Sequence, residues 1–131
     1  MKANAITPDD FPWYDYSRYS FSLGLDVGNH AYLSGHTAST YNPDLKRVVV
    51  ADGMAEQARI AYAKIEAILK ASGKTLNDAV RVVEYITAPG VASYDEAEKI
   101  RLEIFGDRQP VVNTVPVRAL LRPDALIELE V

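Results

Sequence analysis

Residues 54–87 read MAEQARIAYAKIEAILKASGKTLNDAVRVVEYIT, and two different periods meet inside this stretch. From 54 to 72 the residues Met54, Ala58, Ala61, Ile65, Ile68 and Leu69 recur three or four apart, which puts one apolar stripe on a helix. Asp52 is placed to cap the orphan N–H groups of that helix, Gly73 to end it in a left-handed residue, and Glu66 to pair with Lys70 one turn on. After a turn over 74–78, residues 80–87 take on the β-branched and aromatic character of a strand.

Beyond that strand, Pro89-Gly90 breaks the chain, and Ser93 with Glu96 three residues later has the form of a capping box. Ala97, Ile100, Ile104 and Phe105 mark the buried stripe of a second helix that Gly106 stops, and two strands follow over 111–117 and 125–131. In the other direction, 48–50 reads as a short strand, and 35–47, polar and containing Asn42-Pro43-Asp44, as a loop suited to polar function. Residues 31–34 and 19–25 form a hairpin around the turn Asp26-Val27-Gly28-Asn29, with Tyr19, Phe21, Leu23 and Leu25 expected on one face. Residues 1–18, with Phe11, Pro12, Trp13, Tyr14 and Tyr16, read as an ordered arm of irregular structure. The order is β-β-β-α-β-α-β-β in a single domain over 1–131, an α+β architecture with two helices on one face of a sheet.

With 131 residues, 48% of them hydrophobic and 24% charged, the chain has the composition of one globular domain and not of a disordered segment. A net charge of −4 and a pI near 5.1 leave only Lys46-Arg47 and the pair Arg118 and Arg122 as basic clusters, which disfavours binding to nucleic acid. No cysteine is present, so disulfides, thiol nucleophiles and thiolate metal sites are excluded together. No apolar run approaches the roughly 20 residues of a membrane span, and residues 1–8 lack the apolar core of a secretory signal, so the expected location is the cytoplasm. Adjacent apolar residues at Val48-Val49-Val50, Val82-Val83 and Val111-Val112 bury both faces of their strands, whereas two helices cover one face; a homo-oligomer is expected.

Phosphate-loop, zinc-protease, serine-hydrolase and calcium-loop patterns are all missing. Only His30 and His36 offer imidazoles, and no metal site is expected. Glu128 and Glu130 project from an otherwise apolar last strand. One reading is a solvated face, the better one for Glu130; the other is a desolvated carboxylate with raised proton affinity, able to act as general acid or base, and for Glu128 both stay open. His36 follows Ser34-Gly35 at a strand end, where it is either a solvated loop residue or a group that orients water. The ring-rich segment 11–21 either covers a sheet edge or walls a small-molecule pocket. Arg118 and Arg122 are either solvated or anchors for a ligand carboxylate.

Several segments together resemble the RidA (YjgF) family of small trimeric proteins. They are Asp26-Val27-Gly28-Asn29 leading to Leu33-Ser34-Gly35, Glu56-Gln57-Ala58-Arg59, the helix end Ile68-Leu69-Lys70-Ala71-Ser72-Gly73, Leu76-Asn77-Asp78-Ala79-Val80, Phe105-Gly106, and Leu126-Ile127-Glu128-Leu129-Glu130. The resemblance implies a chorismate-mutase-like α+β fold with a mixed sheet, a homotrimer, and a cleft at each subunit interface. It also implies cofactor-independent hydrolysis of enamines and imines to 2-oxo acids and ammonia. The family's site glutamate corresponds to Glu128, its first-strand tyrosine to Phe21, and its cysteine to Thr114; Gly35 lets a ligand approach, and His36 stands where a glutamine is frequent. The arginine that grips the substrate carboxylate in deaminating members corresponds to Val112, which cannot form the bidentate contact, worth roughly a few kcal/mol. Arg118 shares the strand parity of Val112 and Thr114. The leading expectation is therefore a RidA-like protein that binds a small imine, enamine or related C–N metabolite, with Glu128 as acid/base, His36 assisting water, and Phe21, Gly35, Val112, Thr114 and Arg118 lining the cleft. The alternative is a non-catalytic trimer that binds a metabolite or partner in the same cleft. An older name in the family, endoribonuclease L-PSP, suggests RNA as a substrate, and the acidic balance argues against it.

Overall fold

The structure is a computed structural model that describes residues 2–131. Its strands are β1 (Ala3–Ala5), β2 (Gly24–Val27), β3 (His30–Leu33), β4 (Ser39–Asn42), β5 (Arg47–Val50), β6 (Arg81–Thr87), β7 (Val111–Val117) and β8 (Ile127–Glu130), with helices α1 (Met54–Ala71) and α2 (Tyr94–Phe105). The apolar stripe of α1 is buried throughout, and Gly73 at φ +71° ends it, with the Lys74 amide reaching back to the Leu69 carbonyl at 2.9 Å. The Glu66–Lys70 pair is present at 3.5 Å.

Both helix N-termini differ from expectation. Gly53, not Asp52, occupies the cap of α1 and supplies no side chain; the free Ala55 amide donates instead to the Glu96 carboxylate, 3.3 Å away on α2. Glu96 is thereby taken from the capping box, and the Ser93 hydroxyl donates to the Gly90 carbonyl. The positive end of α1, with its unpaired N–H groups, is a better partner for that carboxylate than its own turn. A capping box does form one turn earlier in the chain, where Thr75 and Asp78 close the short 3-10 segment between α1 and β6.

Two strands are new. Ala3–Ala5 pairs antiparallel along β2 and covers its outer edge. Within the expected loop, β4 pairs with β5 as a hairpin closed by the Asn42 side chain, which accepts from the amides of Asp44 and Leu45, and by Lys46 at φ +52°. The expected strand over 19–25 begins only at Gly24. Leu23 is buried while Tyr19, Phe21 and Leu25 are exposed, because the rings of Tyr14, Tyr19 and Phe21 pack on one another at 5.3 and 5.6 Å outside the ladder. The last strand likewise starts at Ile127, since the Leu126 amide donates to the Gln57 side chain.

β6 is the axis of the molecule. β7 runs parallel to it and β8 antiparallel, giving a mixed ladder β7-β6-β8 beside the antiparallel ladder β1-β2-β3. His36 joins the two, donating to and accepting from Leu129 at 2.8 and 2.9 Å. Val82, Ile86, Ile127 and Leu129 point toward the helices and form the core with Ala58, Ile65, Ala97 and Ile100. Within the arm, Phe11 packs edge-on against Trp13, Tyr14 and Tyr16, and with Tyr14 and Tyr16 it covers a second small core of Ile6, Leu23 and Ile68.

Strand alternation places Val83, Tyr85 and Thr87 on the face away from the helices, and the registers of the neighbouring strands add Val111, Asn113, Val115, Glu128 and Glu130 to it. Among the described residues no helix packs on this face, since α1 and α2 meet the Val82 and Ile86 side. Val111 is 68% exposed. Among the described residues, no helix is long and apolar enough to cross a membrane.

Candidate functional site

At the end of β3 the chain passes Ser34-Gly35-His36 directly beside β8, and His36 is held there by its two backbone bonds to Leu129. A Cβ on Gly35 would meet the Glu128 carboxylate, so glycine lets the carboxylate lie against this turn where a larger residue would push it aside. They form the floor of a cavity of about 300 Å³, continued by Thr37 and Ser39. Tyr14, Tyr19 and Phe21 supply its ring wall, and Leu121 with Arg122 its rim. Four of the expected site residues, Glu128, His36, Phe21 and Gly35, are thus brought together.

Three are not. Val112 and Thr114 pair beside Val82 and Glu84 on the helix-facing side of the sheet, opposite Glu128. Val112 packs against the main core, and the Thr114 hydroxyl lies 3.1 Å from Glu84 and 2.9 Å from the Tyr94 hydroxyl of α2. Those contacts are with the polar link between sheet and helix: Glu84, buried, accepts from Arg101 of α2 and from Tyr94 at 2.8 Å. Arg118 lies exposed just past β7, and the arginine at the cavity rim is Arg122. The parity of β7, fixed by its pairing with β6, turns Val112 and Thr114 to the helix side of this chain.

The cavity floor is desolvated. Burial raises the proton affinity of Glu128, which is half-buried, and the nearby Glu130 charge adds to the effect. Glu130 itself is exposed and accepts a hydrogen bond from Tyr85 at 3.0 Å, in line with its solvated reading. His36 is only 2% exposed, and burial, reinforced by the Lys64 charge, lowers its pKa to about 3, so the ring is neutral; its Nε2 is buried without a hydrogen-bond partner.

Lys64 lies behind the floor and was not singled out by its sequence. It is fully buried on α1, where its ammonium donates to the carbonyls of Thr37 and Ser39 and sits 5.1 Å from the Tyr14 ring centroid. Burial, then the Arg122 charge, lowers its pKa to about 7. The signal was present: Lys64 falls between Ala61 and Ile65 on the stripe that α1 buries. Tyr14, beneath it, is pushed up to about 12 by burial and by Tyr19, with Arg122 pulling the other way. Among the described residues no group of three or more His, Asp or Glu side chains is placed to hold a metal ion.

The fold defines a class of protein, a two-layer α+β domain with two helices packed against mixed sheets, and this chain carries on it a ring-walled cavity with a perturbed carboxylate on its floor. The family model described as Endoribonuclease L-PSP matches residues 15–131, and the chain is a member of that family, the RidA/YjgF family. A RutC family protein of Pyrococcus abyssi is 30% identical over 110 residues, which are 84% of this chain and 82% of that protein. Among solved structures, the Rid-family protein YyfA of Yersinia pestis, described as of unknown function, superposes with a TM-score of 0.80 at 25% identity, covering 98% of this chain and 96% of that one. Rv2704 of Mycobacterium tuberculosis, a member of the YjgF/YER057c/UK114 family, gives a TM-score of 0.77 at 27% identity over 98% and 96% of the two chains. These likenesses carry the RidA-like fold, two helices packed against mixed sheets.

Proposed function

We propose that this chain is a Rid-family hydrolase of small enamines and imines, working in the cytoplasm as a homotrimer whose subunits adjoin one another's cavities. The observation that carries the reading is the position of Glu128, a half-buried carboxylate of raised proton affinity on the floor of a cavity of about 300 Å³. A carboxyl group that holds its proton more tightly can protonate the β-carbon of an enamine, giving an iminium ion, and as carboxylate it can then take a proton from water. The water oxygen adds to the iminium carbon, Glu128 passes the proton it took from water to the nitrogen, and the C–N bond of the carbinolamine breaks as its hydroxyl gives its proton back to Glu128, releasing ammonia and the carbonyl. The net change is imine plus water to carbonyl plus ammonia, and it needs no cofactor. His36, neutral and buried beside Glu128, adds no charge to the floor on which that water would stand.

The test is ammonia release from freshly generated 2-imino acids by the wild-type protein and by Glu128→Gln. The reading expects the variant to lose at least about a hundredfold in rate, the usual scale for a positioned acid/base. Equal rates would remove Glu128 from the chemistry, and ligand binding without any turnover by the wild type would leave a binding protein in place of a hydrolase.

A further inference from the structure

Position 112 is a valine on the helix side of the sheet, so any cation that meets a ligand in the cavity comes from elsewhere. Two adjoin it. Lys64 is committed, its ammonium shared among the carbonyls of Thr37 and Ser39 and the Ser39 hydroxyl. Arg122 is not: among the described residues its guanidinium makes no ion pair and no hydrogen bond, although the residue is half-buried at the rim. It lines the same cavity as Tyr14, and its charge acts on both Tyr14 and Lys64.

The turn that carries Arg122 is fixed from three sides. Pro123 follows it and restricts the backbone, and the Ala125 amide donates to the Arg122 carbonyl at 3.0 Å. Gln57, buried on α1, donates to the carbonyls of Ala51 at 2.8 Å and Asp124 at 3.0 Å and accepts from the Leu126 amide at 2.7 Å. The fixed turn keeps the base of the Arg122 side chain beside the cavity, and the planar fork of its guanidinium matches a carboxylate.

We propose that Arg122 is the carboxylate clamp of this cavity, and that the ligand is a small monocarboxylate whose apolar side chain lies against Phe21, Tyr19 and Leu121. The assignment rests on the hydrolase reading in taking Glu128 to face the reacting carbon, but the clamp is measurable without turnover. Phenylacetate and its neutral counterpart phenylacetamide are titrated calorimetrically into the folded protein. The wild type is expected to bind the acid at least tenfold more tightly than the amide, on the scale of a charge-assisted bidentate contact. Arg122→Gln erases that preference, and Arg122→Lys keeps part of it. No preference in the wild type, an undiminished preference in Arg122→Gln, or its loss in Arg118→Gln instead would overturn the clamp. Absence of ammonia release with an Arg122-dependent preference intact rejects the hydrolase alone; turnover with a preference indifferent to Arg122 rejects the clamp alone.

Discussion

Burial acts in opposite senses on the two titratable groups of the cavity floor. His36 is held neutral, its pKa falling from 6.5 to about 3, so between those values the unfolded chain binds more protons than the folded one. The stability this residue supports is complete above pH 6.5 and drains away as the pH falls toward 3, with a slope of at most about 1.4 kcal/mol per pH unit. Glu128, raised above its usual range, runs the other way: the folded state binds the extra proton, and its share of stability grows as the pH drops through its raised pKa. His36→Gln therefore flattens the acid limb of the stability curve, measured as urea midpoints from pH 7 to pH 3, and parallel curves for the two proteins would show that the ring is not held neutral. At this scale the sequence was half legible. Gly35, His36 and Glu128 stand out by type and setting, whereas Lys64 reads as a solvated helix residue until its place on the buried stripe is taken literally.

Among the elements, the helices were legible because a 3.6-residue period and a left-handed glycine at each end are local signals. The strands were less so. β4 is polar and short, β1 is a three-residue edge, and neither announces itself without the partner it pairs with. The parity of β7 is of the same kind, since residues 111–117 read equally well with either set facing the helices. The pairing with β6 fixes the choice, and the buried link from Glu84 to Arg101, Tyr94 and Thr114 ties β6 and β7 to α2. Arg101→Met removes the cation and leaves Glu84 buried without compensation, an expected loss of about 3–5 kcal/mol in denaturant unfolding. Glu84→Met combined with Arg101→Met recovers most of that loss, because two apolar side chains then fill the same space. If the double variant is no more stable than the single one, the link contributes by geometry and not by charge compensation.

For the molecule as a whole, the open face of β6 and β7 bears on assembly. Val111 and Val115 stay exposed there in the single chain, on the same face as Glu128 and Glu130. The trimer proposed above covers them, and light scattering on a sizing column is expected to give three times the 14.5 kDa chain. Val115→Arg, which sets a charge in that contact, is expected to release single chains with an unchanged circular-dichroism spectrum; a trimer that survives it places the interface elsewhere. The sequence foretold an uncovered face from its paired valines, but not that polar side chains would share it.

The two bonds between His36 and Leu129 are the stitch that holds one half of the sheet to the other, and the stitch is also the cavity floor. Any breathing of the β1-β2-β3 half against the β7-β6-β8 half hinges where a ligand would sit. A molecule that spans from this floor to the Arg122 turn braces the hinge. Occupancy of the cavity and slowed hydrogen exchange at the His36 and Leu129 amides are then one equilibrium seen through two instruments.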